Sequence, residues 1–278
     1  MPGSITDTET ADATGTPRPA DDGTIRIDRS WWSWNGAQGG HVAALALTAM
    51  RDDLAARTGE RLPVRTLGAH FLAPVDERPL RLAATTLREG RRSSVSSVTA
   101  MQDDSAVLTG AAVFGRSEPG PVQAGTPAPV VPGPDACPPL TLPRSLAAFA
   151  AHLEIRPADD ARPLAGGARA ELTAWMRFAD GRPLDPRALV VLADALPPAL
   201  FAVWTEPRPV PTAELTVHFT DVLDTAPAEG WALVRSRTEH AGGGWAVENS
   251  ALWTEDGRLL ALARQARAVR DFRPGHQG

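Results

Sequence analysis

Leu67-Gly-Ala-His-Phe71 and Leu215-Thr-Val-His-Phe219 are two copies of one strand-like pattern, separated by a constant offset of 148 residues. A repeat at fixed spacing marks a duplicated structural unit, and it decides the fold before any single element does. In each copy an apolar helix pattern precedes the His-Phe segment. Three further strand-like segments follow it, ending in 106–115 or 259–270. The chain is therefore expected to be a tandem duplication of α+β type, each half a long helix and a run of antiparallel strands.

Working outward, Val42, Leu45, Ala46, Ala49 and Met50 form an apolar stripe at helical spacing, with Asn35 as the candidate N-cap. In the second half Asp185 is the candidate N-cap and Pro186 the first helical residue. Val190, Val191 and Leu192 follow, and Pro197-Pro198 stops the helix about three turns on. Leu80, Leu82, Ala84 and Thr86 alternate with Arg81, Ala83, Thr85 and Leu87 as in a strand, and 231–238 behaves similarly. Asp103-Asp104 and Asp256-Gly257 are expected at hairpin turns. Residues 116–145 hold nine prolines and read as an extended connector crossing the surface. The expected division is a leader over 1–23, a first repeat over 24–115, the connector over 116–145 and a second repeat over 146–272.

Composition narrows the function classes. A net charge of -5 with 43% hydrophobic and 22% charged residues is that of a globular protein with no basic stripe for nucleic acid. Residues 1–23 lack the apolar core of a secretion signal, and the apolar stretches at 41–50 and 188–204 are too short or too broken to span a membrane. One cysteine, Cys137, cannot form an internal disulfide, which fits a cytoplasmic protein. The six histidines show no metal-ligand spacing, there is no Gly-x-Ser-x-Gly elbow and no phosphate loop, and Cys137 in a flexible connector is a poor nucleophile. No cofactor or metal is expected.

Four segments carry a resemblance: Asn35-Gly-Ala-Gln-Gly-Gly-His-Val42, His70-Phe-Leu-Ala-Pro74, Asp180-Gly-Arg-Pro-Leu-Asp-Pro186 and residues 247–257. In order and spacing they resemble the acyl-CoA thioesterase II and related thioesterase-like families over nearly all of 24–270. The resemblance implies a double hotdog fold, two sheets each curled round a helix. It also implies an acyl-CoA or acyl-carrier thioester as substrate and partner, a role in fatty acid metabolism, and sheet edges compatible with a homodimer.

Thioester hydrolysis without a covalent intermediate needs a held water, a carboxylate to take its proton, and donors aimed at the carbonyl oxygen. Asp194 shares a helix face with Val190 and Val191, where an unpaired carboxylate costs several kcal/mol. It is either a functional acid or a solvated one near the helix end. Gln265 lies on the strand face of Ala261, Ala263 and Val269, either in a pocket or on an edge facing water. The resemblance implies Asp194, within Ala193-Asp-Ala-Leu196, as the base, with Thr212 and Gln265 as its active-site companions. At the repeat offset Asp194 corresponds to Ala46 and Thr212 to Val64, and Gln265 corresponds to Val113 after a four-residue length difference. One hydrolytic site per chain is expected.

The Gln38-Gly39-Gly40 helix start leaves backbone N–H groups open at the positive end of the dipole. Gly39 and Gly40 are candidate substrate-binding residues, with tight packing against a strand as the alternative. His41 and Trp34 are further candidates; Trp31, Trp32 and Trp34 suit either an acyl pocket or a core. His70 and His218, at matching repeat positions, suggest a shared structural role. Two other functions fit the same sequence: a hydratase, dehydratase or cyclisation catalyst, and a non-catalytic acyl-binding protein.

Overall fold

The computed structural model describes residues 23–123 and 125–270; most of the expected leader lies outside them. Eleven strands form one antiparallel sheet: β1 (Thr24–Ile25), β4 (Val64–Phe71), β5 (Leu80–Arg88), β6 (Ser93–Gln102), β7 (Ser105–Gly115), β8 (Leu153–Pro157), β9 (Glu171–Phe178), β10 (Thr212–Phe219), β11 (Ala232–Gly242), β12 (Trp245–Thr254) and β13 (Leu259–Ala268). A small hairpin pairs β2 (Trp32–Ser33) with β3 (Gly36–Ala37). Two α-helices, α1 (Gly39–Thr58) and α2 (Pro186–Ala193), cover one face of the sheet and pack on each other.

The strand order is β1-β5-β6-β7-β4-β10-β13-β12-β11-β9-β8. From the β4–β10 seam the chain reads outward in the same sense on both sides, β4-β7-β6-β5 one way and β10-β13-β12-β11 the other. The two His-Phe segments are the seam strands, and their side chains are distributed alike: Leu67, Ala69, Leu215 and Val217 are buried, while His70 and His218 are exposed on the outer face.

Helix α1 is apolar on all sides near its start, because it is enclosed by β4–β7 below and α2 beside it. Every residue from Gly40 to Leu47 is buried. Burying side chains such as Leu45, Leu47, Met50 and Leu54 stabilises by roughly 1.5–3 kcal/mol each.

Three expectations need correction. Asn35 does not cap α1; it sits in the hairpin turn with Gly36 (φ 108°), and Gln38 is the N-cap. The second helix is short, eight residues, and ends at Ala193 instead of running on to the prolines. Its start follows the sequence reading: Asp185 accepts a hydrogen bond from the N–H of Ala188 at 2.7 Å, with Pro186 next. Strand β8 does alternate but is only five residues long, and β9 does not alternate because it is buried on both faces over most of its length.

What covers its outer face is the proline-rich connector. Proline has no N–H to offer a ladder, so these residues are held from below through their carbonyl groups. The indole N–H of Trp175 donates to Pro132 O and that of Trp253 to Thr126 O, each at 2.8 Å. Cys137 is buried there with Trp175, Trp231, Leu233 and Trp253, so its surroundings are packed and not flexible.

Candidate active site

Asp194 is the residue just past α2, with its backbone outside helical geometry (φ -117°, ψ 14°). Its side chain is 7% exposed, so the solvated alternative is removed. A carboxylate at a helix C-terminus faces the negative end of that dipole. Here the opposite end of α1 offsets this, because the first turn of α1 abuts the last turn of α2. The N–H of Gly40 donates to Asp194 Oδ2 at 2.8 Å.

Gln38 joins the two helix ends. Its Oε1 accepts from the N–H of His41 at 2.6 Å, capping α1, while its Nε2 donates to the carbonyl of Asp194 at 3.0 Å, closing α2. The glycines make this approach feasible. A Cβ on Gly40 would stand 2.7 Å from Val190 O, and one on Gly39 2.9 Å from Asp194 Oδ2. Gly39 and Gly40 therefore face Asp194 through close helix contact, and Gly39 also packs against the Phe71 ring of β4. The Gly40 N–H is already engaged by the carboxylate; that of Gly39 has no protein acceptor among the described residues.

The other oxygen of Asp194 gathers the remaining expected residues. Gln265 Nε2 donates to Oδ1 at 2.6 Å and Thr212 Oγ donates to it at 3.2 Å. Thr212 opens β10, where the register with β13 shifts, and Gln265 is buried in the interior strand β13, which settles it as inward-facing. The sheet registers also refine the repeat comparison. Leu67 pairs with Ala112 as Leu215 pairs with Gln265, so the counterpart of Gln265 is Ala112 and not Val113. Ala46, Val64 and Ala112 are all buried and apolar.

Sequence reasoning missed two members of the cluster. Arg267 places Nη1 at 2.8 Å from Thr212 Oγ and Nη2 at 2.6 Å from Gln265 Oε1. Glu248 accepts from Arg267 Nε at 2.9 Å and from the N–H of Ala199 at 2.6 Å. Arg267 has the same parity as Gln265 along β13, and Glu248 stands directly across from Gln265 on β12. The alternation that singled out Gln265 marks both.

His41 and Trp34 are not brought to this cluster. His41 is stacked on Trp31 with ring centroids 4.1 Å apart, and His152 stacks on the other side of that indole at 4.1 Å. The imidazole of His41 lines a separate cavity of about 30 Å3 with Arg182, Asp185 and Arg187. Trp34, at the exposed tip of the β2–β3 hairpin, shares no hydrogen bond with Asp194, Thr212 or Gln265.

Burial, reinforced by the Arg187, His152 and Arg182 charges, lowers the pKa of His41 to about 3. The unfolded chain takes up this proton near pH 6.5 while the folded one does not, so stability must fall as pH drops through the window from about 6.5 to 3. Between pH 7 and 4.5 this group is expected to cost roughly 2–3 kcal/mol. His41→Phe keeps the stack without the titration, and urea unfolding at both pH values should show the wild type losing that much more than the variant. Parallel losses would refute the assignment.

Family models now bear on this arrangement. One for the N-terminal domain of acyl-CoA thioesterases matches residues 28–115, and one for the C-terminal domain matches residues 134–269. The chain belongs to the acyl-CoA thioesterase family. Solved structures agree. A hot dog fold protein of unknown function from Alicyclobacillus acidocaldarius is 26% identical, with 90% of this chain and 93% of that one covered at a TM-score of 0.81. A provisionally named thioesterase II from Thermobifida fusca is 25% identical over 89% and 92% of the two chains, TM-score 0.76. An acyl-CoA thioesterase II from Mycobacterium marinum is 25% identical over 87% and 92%, TM-score 0.67. No curated protein matches the sequence. The large antiparallel sheet with its two helices is thus a hot dog type of fold, and membership of the thioesterase family supports thioesterase activity. Among the described residues no helix is long and apolar enough to cross a membrane.

Proposed function

We propose that this protein hydrolyses an acyl-CoA or acyl-carrier thioester to free acid and thiol by direct attack of water, without a covalent intermediate. Asp194 takes the proton of the attacking water. Thr212 and Gln265 hold that water, and the N–H of Gly39, at the positive end of α1, polarises the thioester carbonyl. The observation that carries the reading is the convergence on Asp194. One oxygen is tied to Gln265 and Thr212, while the other accepts the Gly40 N–H at 2.8 Å and a longer contact from Gln38 Nε2 at 3.4 Å, the weaker of its two bonds and the one an attacking water would replace.

The same reading treats the scaffold as a double hotdog, with repeats over 24–115 and 146–272 joined by the connector at 116–145. The mirrored strand order and the matched burial of β4 and β10 support it. The apolar residues at Ala46, Val64 and Ala112 support one hydrolytic site per chain, the first repeat contributing the helix N-terminus and the second the polar side chains.

The test is release of free thiol from acyl-CoAs from acetyl to palmitoyl, including aromatic acyl groups. Turnover of at least one is expected, and the profile across the panel reports the acyl length the pocket accepts. No thiol release from any CoA ester or acyl-carrier protein would overturn hydrolysis as the reaction.

A further inference from the structure

We propose that Arg267, anchored by Glu248, is a positioning residue that fixes which way the hydrogen atoms of Thr212 and Gln265 point, and so turns both toward Asp194; this rests on the hydrolytic reading above. A guanidinium has five N–H donors and no acceptor. Whatever sits against it must present an oxygen lone pair. Arg267 donates through Nη1 to Thr212 Oγ at 2.8 Å, so the hydroxyl hydrogen has to leave in another direction, and Asp194 Oδ1 receives it at 3.2 Å. Arg267 donates through Nη2 to Gln265 Oε1 at 2.6 Å. That contact decides the amide's orientation and leaves Nε2 facing Asp194 Oδ1 at 2.6 Å. Two side chains that could each accept or donate are thereby made donors to one oxygen.

Arg267 is held in turn. Both its Nε and its Nη2 lie 2.9 Å from Glu248 Oε1, and the other Glu248 oxygen accepts the N–H of Ala199. With side chains 7% and 2% exposed, neither is placed to meet a substrate. The pair acts mainly through Thr212 and Gln265, as outer partners that orient an inner set of ligands do at metal sites, and Arg267 Nη2 also lies 3.5 Å from Asp194 Oδ1 as a longer, direct ion pair. Its counterpart in the other half of the sheet is apolar: Val64 pairs with Phe114 where Thr212 pairs with Arg267.

Removing Arg267 alone would strand a buried carboxylate, so the variant to make is Arg267→Met with Glu248→Gln, which keeps an acceptor for Ala199. The expected result is a fall in kcat of about 10–100-fold with KM within about threefold. In a Thr212→Val, Gln265→Leu background the same pair of changes should cost several-fold less than in the wild type, because the groups it orients are gone and only its 3.5 Å ion pair with Asp194 remains. Selective 15N labelling of the five glutamines, with Gln265→Leu for assignment, follows the Gln265 amide directly. Its protons should be slow to exchange in the wild type and fast in the folded Arg267 variant. An amide equally protected in both, or losses of kcat that multiply across the two backgrounds, would overturn the proposal. Absence of turnover in the wild type would instead count against hydrolysis, while the amide exchange would still decide the role of Arg267.

Discussion

Asp194→Asn is expected to reduce thiol release by about a thousandfold, the scale on which a positioned general base acts. The change is small in volume but large in bonding. Both carboxylate oxygens of Asp194 serve only as acceptors, Oδ1 toward Gln265, Thr212 and the Arg267 guanidinium and Oδ2 toward Gly40 and Gln38. An asparagine must turn its NH2 toward one of these donor sets, so one buried donor meets another whichever way the amide lies. That mismatch should cost about 1–3 kcal/mol of stability, visible as a lower urea midpoint, and the remaining folded protein should bind an uncleavable thioether analogue of its best substrate. Asp194→Ala should lose turnover to the same degree, leaving several donors unmatched. A folded Asp194→Asn protein that retains turnover within about tenfold of wild type would remove Asp194 as the base.

The parts of this site that the sequence made legible are those where one residue breaks a local pattern. Asp194 interrupts an apolar run, and Gln265 stands among alanines on one strand face. Arg267 shares that strand face two residues on, but a single arginine near the end of a strand ordinarily lies at the surface, so its residue type masks it. Glu248 was hidden for the same reason: acids in strands are ordinarily exposed, and its burial depends on pairing with an arginine from the neighbouring strand. The repeat made the mirrored sheet legible, since two seam strands with one pattern have to meet similar surroundings. Strand β9 was not legible because the connector buries its second face and erases the period of two, whereas β8 keeps that period over only five residues. The start of α1 lies a few residues beyond Asn35, an acceptable cap in isolation. Gln38 prevails through Asp194 and Val191 of the other helix, contacts that lie more than 150 residues away in the chain.

Gly40→Ala tests whether the meeting of the two helix ends is what holds the site. In an ordinary helix this change is favourable by about 1 kcal/mol, so a loss would run against the normal sign. The new Cβ would lie 2.7 Å from the backbone oxygen of Val190 and 3.0 Å from Asp194 Cβ. A backbone oxygen cannot rotate away, so α1 must slide or lift from α2, at about 1–3 kcal/mol. The Gly40 N–H to Asp194 bond would lengthen with it. The expected outcome is a lower melting temperature together with a fall in kcat of about 100-fold, the penalty for displacing a reacting group by about an ångström. Gly39→Ala separates the two effects. Its Cβ would meet Asp194 Oδ2 at 2.9 Å and the Phe71 ring at 3.3 Å, side-chain atoms that can turn aside, so stability should change little while kcat still falls. Gly133→Ala, with nothing within 4 Å of its added carbon, should match the wild type in both respects. If Gly40→Ala also matched it, the N-terminus of α1 would not be pressed against Asp194, and the placement of the thioester carbonyl at that helix end would fail with it.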